Sequence, residues 1–445
     1  MVRKILILCF LTFGHLAFGH LAFGQSLETQ VDSLFSSINK PDVPGAAVVI
    51  MRGDSVHFSK GYGIANLEYN IPVTPETVFL VASVSKQFTA YGIALLASHG
   101  KISLNAPVTD YIPELNAFTP PITTEHLVHH TSGLRDEFGL LSLTGYRMDD
   151  VITKEDILRL VYRQRALNFD PGTEYLYSNS GYTLLAEIIE RVSGQSFSDW
   201  TRDSLFLPLG MTKSQFRSEQ GTVIPNVASG YITAPNGYKA QRVNYSSVGA
   251  SGLYTTALDL GKWLTALKHG TIGGEKTRDL AHTRGILTNG DTLAYAFGLT
   301  HGQFRGTRSI GHSGSHRGFR AWAGRFPEYD LGIVVLGNLE EFNPSDMAMK
   351  IAALFIDDKH LNAYEGTYYS EELGSTLYIT MEADTLHLDS RRGRLATLSR
   401  TGLNSFDSDA WYLRTLEFKQ EGDSLLGFSA SSGRTHKVWF KKLNQ

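Results

Sequence analysis

The spacing of apolar residues changes twice along the chain. Between Leu27 and Ser37 they recur at helical intervals, with Leu27, Val31, Leu34 and Phe35 on one face, until Pro41 and Pro44-Gly45 stop the pattern. Gly45 to Ile50 is an unbroken apolar run, and Val56 to Gly63 returns from a turn at Gly53-Asp54, which predicts an antiparallel hairpin. From His99 to about Met211 the period is helical. Helices are expected over Thr124 to His130, Lys154 to Gln164 (capped by Thr153), Asn179 to Val192 and Phe197 to Leu207. Strand signals return at Tyr295 to Thr300, Ser309 to Gly314, Arg320 to Phe326 and Leu331 to Asn338, bracketed by helices from Thr256 to Leu267 and Pro344 to Phe355. This order predicts an α+β domain, an antiparallel sheet flanked by helices with an all-helical insertion.

From Tyr364 the pattern shortens to alternating segments: Gly366 to Tyr369, Thr376 to Ile379, Thr385 to Leu388, Ala396 to Leu398, Leu413 to Phe418, Leu425 to Phe428 and Val438 to Phe440. Turn residues separate them as in a small barrel or sandwich, with a junction at His360 to Ala363. The alternative is an extra sheet layer on the main domain.

The N-terminus stands apart. Arg3 and Lys4 precede an apolar stretch, Ile5 to Leu11, and a repeated Gly-His-Leu-Ala-Phe ends at Ala22-Phe23-Gly24. Residues 1–24 therefore read as a signal peptide cut before Gln25, placing the mature chain in the periplasm or outside the cell, with no membrane span of its own. The single cysteine, Cys9, leaves with the leader, so disulfides and thiolate chemistry are not expected. Apolar and charged contents of 42% and 19% suit a folded protein, and a net charge of -3 gives no reason to expect nucleic acid as a partner.

Candidate chemistry begins at Ser83-Val84-Ser85-Lys86, between the apolar run Thr77 to Ala82 and the helix-compatible Gln87 to Leu96. Residues three apart share a helix face, so Lys86 can turn its amine to the Ser83 hydroxyl and act as the base that makes it nucleophilic. The helix start would offer the Ser83 N–H to an oxyanion. Tyr177-Ser178-Asn179, after the Asp170-Pro171-Gly172 turn, supplies a hydroxyl for proton relay and an amide that could hold substrate and lysine. The plainer reading is a packed tyrosine and a helix-capping asparagine. Gly311-His312-Ser313-Gly314 would let a substrate backbone approach a sheet edge, with the Ser315 N–H as second oxyanion donor. Arg308, His316, Arg317 and Arg320 are candidates for receiving a carboxylate, or ordinary surface residues. No histidine cluster suggests a metal site, and no cofactor is expected.

With these three motifs in this order, the stretch from Ser37 to Phe355 resembles the penicillin-recognising serine hydrolases of the class C β-lactamase-like family, which include D-alanyl-D-alanine carboxypeptidases, D-aminopeptidases and esterases. The resemblance implies a β-lactamase/transpeptidase-like domain over 25–360 and a lipocalin-like C-terminal β-barrel over 361–445. It implies Ser83 as nucleophile, Lys86 and Tyr177 in proton transfer, and Asn179, His312, Ser313 and Gly314 at the substrate. His130 in His130-Thr131-Ser132-Gly133-Leu134 is read as structural. Where β-lactamases carry the lysine of Lys-Thr-Gly, this chain has His312, mostly neutral near pH 7, a change that resembles D-aminopeptidases and esterases. The implied activity is acyl-enzyme hydrolysis of small peptides, amides or esters, D-amino-acid and peptidoglycan-derived compounds included. A penicillin-binding carboxypeptidase or weak β-lactamase, and a non-catalytic peptidoglycan- or peptide-binding protein, remain as alternatives; oligomeric state is not legible.

Overall fold

The computed structural model describes residues 26–147, 149–356, 361–382, 385–401, 404–421 and 424–443; the leader with its cut before Gln25, and His360 of the expected junction, lie outside the described residues. Helix α1 (Leu27–Leu34) leads into β1 (Ala46–Arg52) and β2 (Ser55–Tyr62). Helices α2 (Ser85–Ser98), α3 (Asn179–Ser193) and α4 (Ala257–His269) intervene before strands β3 (Thr300–Phe304), β4 (Thr307–His316), β5 (Phe319–Phe326) and β6 (Leu331–Gly337), and α5 (Pro344–Ala352) follows. These strands form one antiparallel sheet in the order β3-β4-β5-β6-β1-β2. The N-terminal hairpin thus docks on β6, with Ala46 opposite Gly337 and Arg52 opposite Leu331.

The unbroken apolar runs of β1 and β6 follow from burial on both faces. Ala46, Val48 and Ile50 join Leu331, Ile333 and Val335 in a core under α1 and α5. Their neighbours Ala47, Val49 and Met51 join Val334 and Leu336 in the larger core that holds α2, α3 and α4. A strand with solvent on one face would alternate; these two do not. Helix α2 is buried on all sides from Ser85 to Leu96, the expected state for a helix without a polar face. It is the axis between sheet and helical region.

Two expectations need correction. Tyr295 to Thr300 is not a strand: Gly298, at φ +69°, folds the segment into a turn, and β3 begins only at Thr300. A Cβ on Gly298 would lie 2.4 Å from the Lys86 carbonyl oxygen, so the turn packs directly on α2. The helix near His130 is short, Thr124–Val128, and its cap is Thr123.

The C-terminal strands β7 (Gly366–Ser370), β8 (Ser375–Glu382), β9 (Thr385–Ser390), β10 (Gly393–Arg400), β11 (Ser405–Ser408), β12 (Thr415–Glu421), β13 (Ser424–Ser431) and β14 (Val438–Leu443) close into a barrel, β14 pairing with β7. Closure leaves no unpaired sheet edge. Seven of these strands carry the alternating segments seen in sequence; β11 has only Phe406 as an apolar marker. Tyr368, Phe406, Phe418, Phe428 and Phe440 pack inside, so the likeness to lipocalins goes no further than a closed eight-stranded barrel. Among the described residues no helix is long and apolar enough to cross a membrane.

Phe428 is fully buried, with its ring 5.0–5.2 Å from those of Tyr368, Phe418 and Phe440. Phe428→Ala is expected to cost the barrel about 3–5 kcal/mol, measured by denaturant unfolding. A loss below about 1 kcal/mol would mean the barrel has no such core.

Candidate active site

Ser83 sits at the centre of a 3-10 turn, Ala82–Val84, just ahead of α2 and not in its first turn. The short pairing of Phe79–Leu80 with Leu253–Thr255 delivers the chain there. Val81 N donates to Leu253 O (3.0 Å), and Leu253 N donates back to Ser85 Oγ (3.2 Å). Ala82 is held at φ +47°, a left-handed conformation that costs a non-glycine residue about 1–3 kcal/mol. Ser83 stays partly exposed while its neighbours are buried.

Lys86, the second residue of α2, is fully buried. Its Nζ donates to Asn179 Oδ1 (2.8 Å) and Ala250 O (2.8 Å) and lies 3.3 Å from Ser83 Oγ. The rings of Tyr177 and Tyr182 flank it at 4.8 and 5.5 Å. Burial lowers its pKa from 10.5 to about 7, against the opposing pull of Glu137 and Asp136.

Asn179 is the first residue of α3 and not its cap, so the plainer reading of that position fails. Asp136 takes the cap's place from another segment. Its Oδ2 accepts from Asn179 N (2.7 Å) and Asn179 Nδ2 (2.9 Å), while Oδ1 accepts from Phe138 N (3.0 Å). A carboxylate at a helix start meets both the free N–H groups and the positive end of the dipole. Because Nδ2 is drawn to Asp136, the amide oxygen must face Lys86. Glu137 is wholly buried; it accepts from Thr183 Oγ1 (2.8 Å) and Tyr245 Oη, and burial pushes its pKa up to about 7. Neither acid was singled out in the sequence, where Arg135-Asp136-Glu137 looks like an ordinary charged run.

Among the described residues the buried Tyr177 hydroxyl has no hydrogen-bond partner of regular geometry; burial raises its pKa, with a hydrogen bond from the nearby Ser83 hydroxyl opposing, so it is a neutral phenol. Its ring lies 4.2 Å from that of His130. His130 is structural in the sense expected: buried, at φ +59°, its Nδ1 accepting from Ser178 N (3.1 Å) and thereby fixing the Tyr177-Ser178-Asn179 turn. Burial keeps it neutral.

Strand β4 completes the arrangement. His312, Gly314 and His316 share its buried face, and Ser313 and Ser315 are exposed. Gly314 lies against the nucleophile turn so closely that a Cβ would sit 2.1 Å from Val81 O and 3.1 Å from Ser83 N. His312 accepts at Nε2 from Tyr295 Oη (3.0 Å) and donates from Nδ1 to Ser313 O (2.5 Å). Burial lowers its pKa to about 4, with Lys86 adding to the shift. The lysine of the β-lactamase motif is thus replaced by an uncharged ring. His316 is likewise buried, its pKa lowered to about 4. Arg308 is paired with Glu328, Arg317 with Asp149, and Arg320 lies 3.7 Å from Glu340, so these carboxylate candidates already have acidic neighbours. Among the described residues no group of three or more His, Cys, Asp or Glu is placed to hold a metal ion.

The buried amine has a consequence for stability. Between about pH 7 and the unfolded value near 10.4 the unfolded chain holds the Lys86 proton and the folded one has released it, so stability rises with pH. Lys86→Met is expected to gain stability over the wild type at pH 7 and lose that advantage progressively toward pH 10, in urea unfolding across that range. A pH-independent difference would show that Lys86 keeps an ordinary pKa when folded.

Known proteins resemble this chain over most of its length. Over 429 residues the chain is 26% identical to "Penicillin-binding protein 4*" of Bacillus subtilis (strain 168), covering 89% of this chain and 94% of that protein. It is 28% identical over 339 residues to a "D-aminopeptidase" of Gluconobacter oxydans (strain 621H), covering 74% of this chain but only 64% of that protein's length. A penicillin-binding protein homologue from Pyrococcus abyssi, described as octameric, superposes with a TM-score of 0.66 at 26% identity, covering 93% of this chain and 98% of that one, a span that takes in the barrel. The family model for Beta-lactamase matches residues 31–357, and the chain belongs to that family of penicillin-recognising serine-hydrolase-like proteins.

Proposed function

We propose that the protein is a serine hydrolase that cleaves small amides, peptides or esters through an acyl-enzyme on Ser83. The observation that carries this reading is the bonding of Lys86. Asn179 Oδ1 and Ala250 O are acceptors only, so they engage two amine protons and leave the lone pair of a neutral amine toward Ser83 Oγ. With its pKa near 7, a sizeable fraction of Lys86 is neutral at pH 7. Lys86 takes the Ser83 proton as Oγ attacks the carbonyl carbon. The N–H groups of Ser83 and Ser315 receive the oxyanion. Collapse expels the amine or alcohol, protonated by Tyr177 or Lys86, and water then releases the acyl group from Ser83. Tyr177, a neutral phenol beside the Ser83 hydroxyl, suits relay better than permanent base.

The uncharged His312 supports a substrate without a carboxylate at that position. Amides and esters of D-amino acids fit this, in line with the relative named D-aminopeptidase. In this reading Asn179 meets the substrate through the second proton of Nδ2, and Ser313 and Gly314 line the approach. The relatives named penicillin-binding proteins support a second outcome, slow acylation of Ser83 by penicillin. We further take 1–24 as an export signal, 25–360 as the hydrolase domain and 361–445 as a barrel domain.

A fluorescent phosphonate is expected to label the mature protein at Ser83, located by mass spectrometry, and not to label Ser83→Ala. Turnover of a panel is expected to favour short esters and D-amino-acid amides over a chromogenic cephalosporin. Undiminished ester cleavage by Ser83→Ala would remove the mechanism; a preference for the cephalosporin would remove the weight placed on His312.

A further inference from the structure

The connections of the C-terminal barrel differ chemically from one end to the other. In a closed antiparallel barrel successive connections alternate between ends, so 371–374, 391–392, 409–414 and 432–437 share the end away from the chain's entry at Leu361–Tyr364. They carry Arg391, Arg392, Arg414, Arg434 and Lys437. In sequence the remaining connections hold no lysine or arginine, and Asp384 and Asp423 are their charged residues. In a chain of net charge -3 this is a concentrated positive face. Arg394, beside it, is paired with Glu382 and Asp389, whereas these five cations have no ion-pair partner among the described residues.

The strand order sharpens the arrangement. Around the barrel the 409–414 loop lies between the Arg391-Arg392 turn and the 432–437 loop, with Glu371 and Glu372 on the opposite side. The loop is tied to both neighbours. Tyr412 Oη donates to Leu395 O (3.0 Å) near the start of β10, and Arg414 N donates to Ser431 O (2.9 Å) at the end of β13. Within the loop Leu413 N donates to Ala410 O (3.1 Å), and its one acid, Asp409, accepts from Thr397 N (2.8 Å). Trp411 stands edge-on to Tyr412, ring centroids 5.6 Å apart, and is 87% exposed with the hydrolase domain in place. A loop held this firmly around an indole left in water forgoes the stabilisation that burying the ring would give.

We propose that this end of the barrel docks on the surface of an anionic phospholipid bilayer, with Trp411 entering the headgroup layer and the surrounding cations meeting lipid phosphates. An indole at a loop tip encloses nothing, as a peptide or sugar site would; it suits a continuous, yielding partner. Tryptophan and tyrosine favour the bilayer interface, and arginine and lysine reach phosphates while their stems lie along the apolar layer. Apolar insertion and attraction to anionic lipid act together in such docking. The inference does not depend on the chemistry at Ser83.

The test sediments the mature protein with vesicles of phosphatidylglycerol and phosphatidylcholine in equal parts, and with vesicles of phosphatidylcholine alone. Binding to the first and not the second is expected, weakening as salt rises. Trp411→Ala and the double variant Arg391→Glu/Arg392→Glu are each expected to weaken it about tenfold. Both positions are exposed, so urea midpoints and Ser83 labelling are expected to match the wild type. No binding to the anionic vesicles, equal binding to both kinds, or binding that either variant leaves unchanged would overturn the proposal. Retention by an acidic polysaccharide without vesicle binding would also overturn it, giving the face to another polyanion.

Discussion

An amine taken wholly out of water is the constraint on which the rest of this site depends. Lys86 is buried in a helix that has no exposed side along most of its length, and the cost of a charge there brings its pKa to about 7. Among the described residues the acceptors of the amine are uncharged. A backbone carbonyl at Ala250 and an amide oxygen at Asn179 accept its protons, and aromatic faces close over it. A salt bridge in that place would hold the proton on the lysine at neutral pH.

Each larger element contributes to this arrangement. The sheet brings Gly314 against the backbone of the Ser83 turn, where any side chain would collide. The helical region delivers Asn179 and Tyr177 at the start of α3, and Asp136 fixes the orientation of the amide. The Gly298 turn packs on the Lys86 carbonyl. Strain at Ala82, the buried Glu137 and the lowered pKa of Lys86 all work against stability, and the two-faced core of β1 and β6 offsets them.

The parts legible in the sequence are those whose signal is local. Ser83 and Lys86 stand three apart, Tyr177 and Asn179 border a turn, and His312 to Gly314 lie on one strand, so short motifs expose them. The strands of the main sheet were legible where apolar runs are continuous. Tyr295 misled because alternating aromatics imitate a strand, whereas Gly298 makes a turn whose need appears only when α2 is packed beside it. Asp136 and Glu137 were invisible for a related reason. Their partners Asn179, Thr183 and Tyr245 lie 43 to 108 residues away in sequence, and nothing in a charged tripeptide reveals that it will be buried. The barrel strand β11 was missed because four residues with one phenylalanine carry too little pattern.

The central claim, that burial makes Lys86 a neutral base, is open to direct measurement. NMR titration of lysine side chains in the mature protein, with the Lys86 signal assigned by its absence in Lys86→Met, reports the ionisation itself. A midpoint near pH 7 is the result predicted here. A Lys86 that stays protonated to about pH 10, as a solvated lysine does, would contradict it.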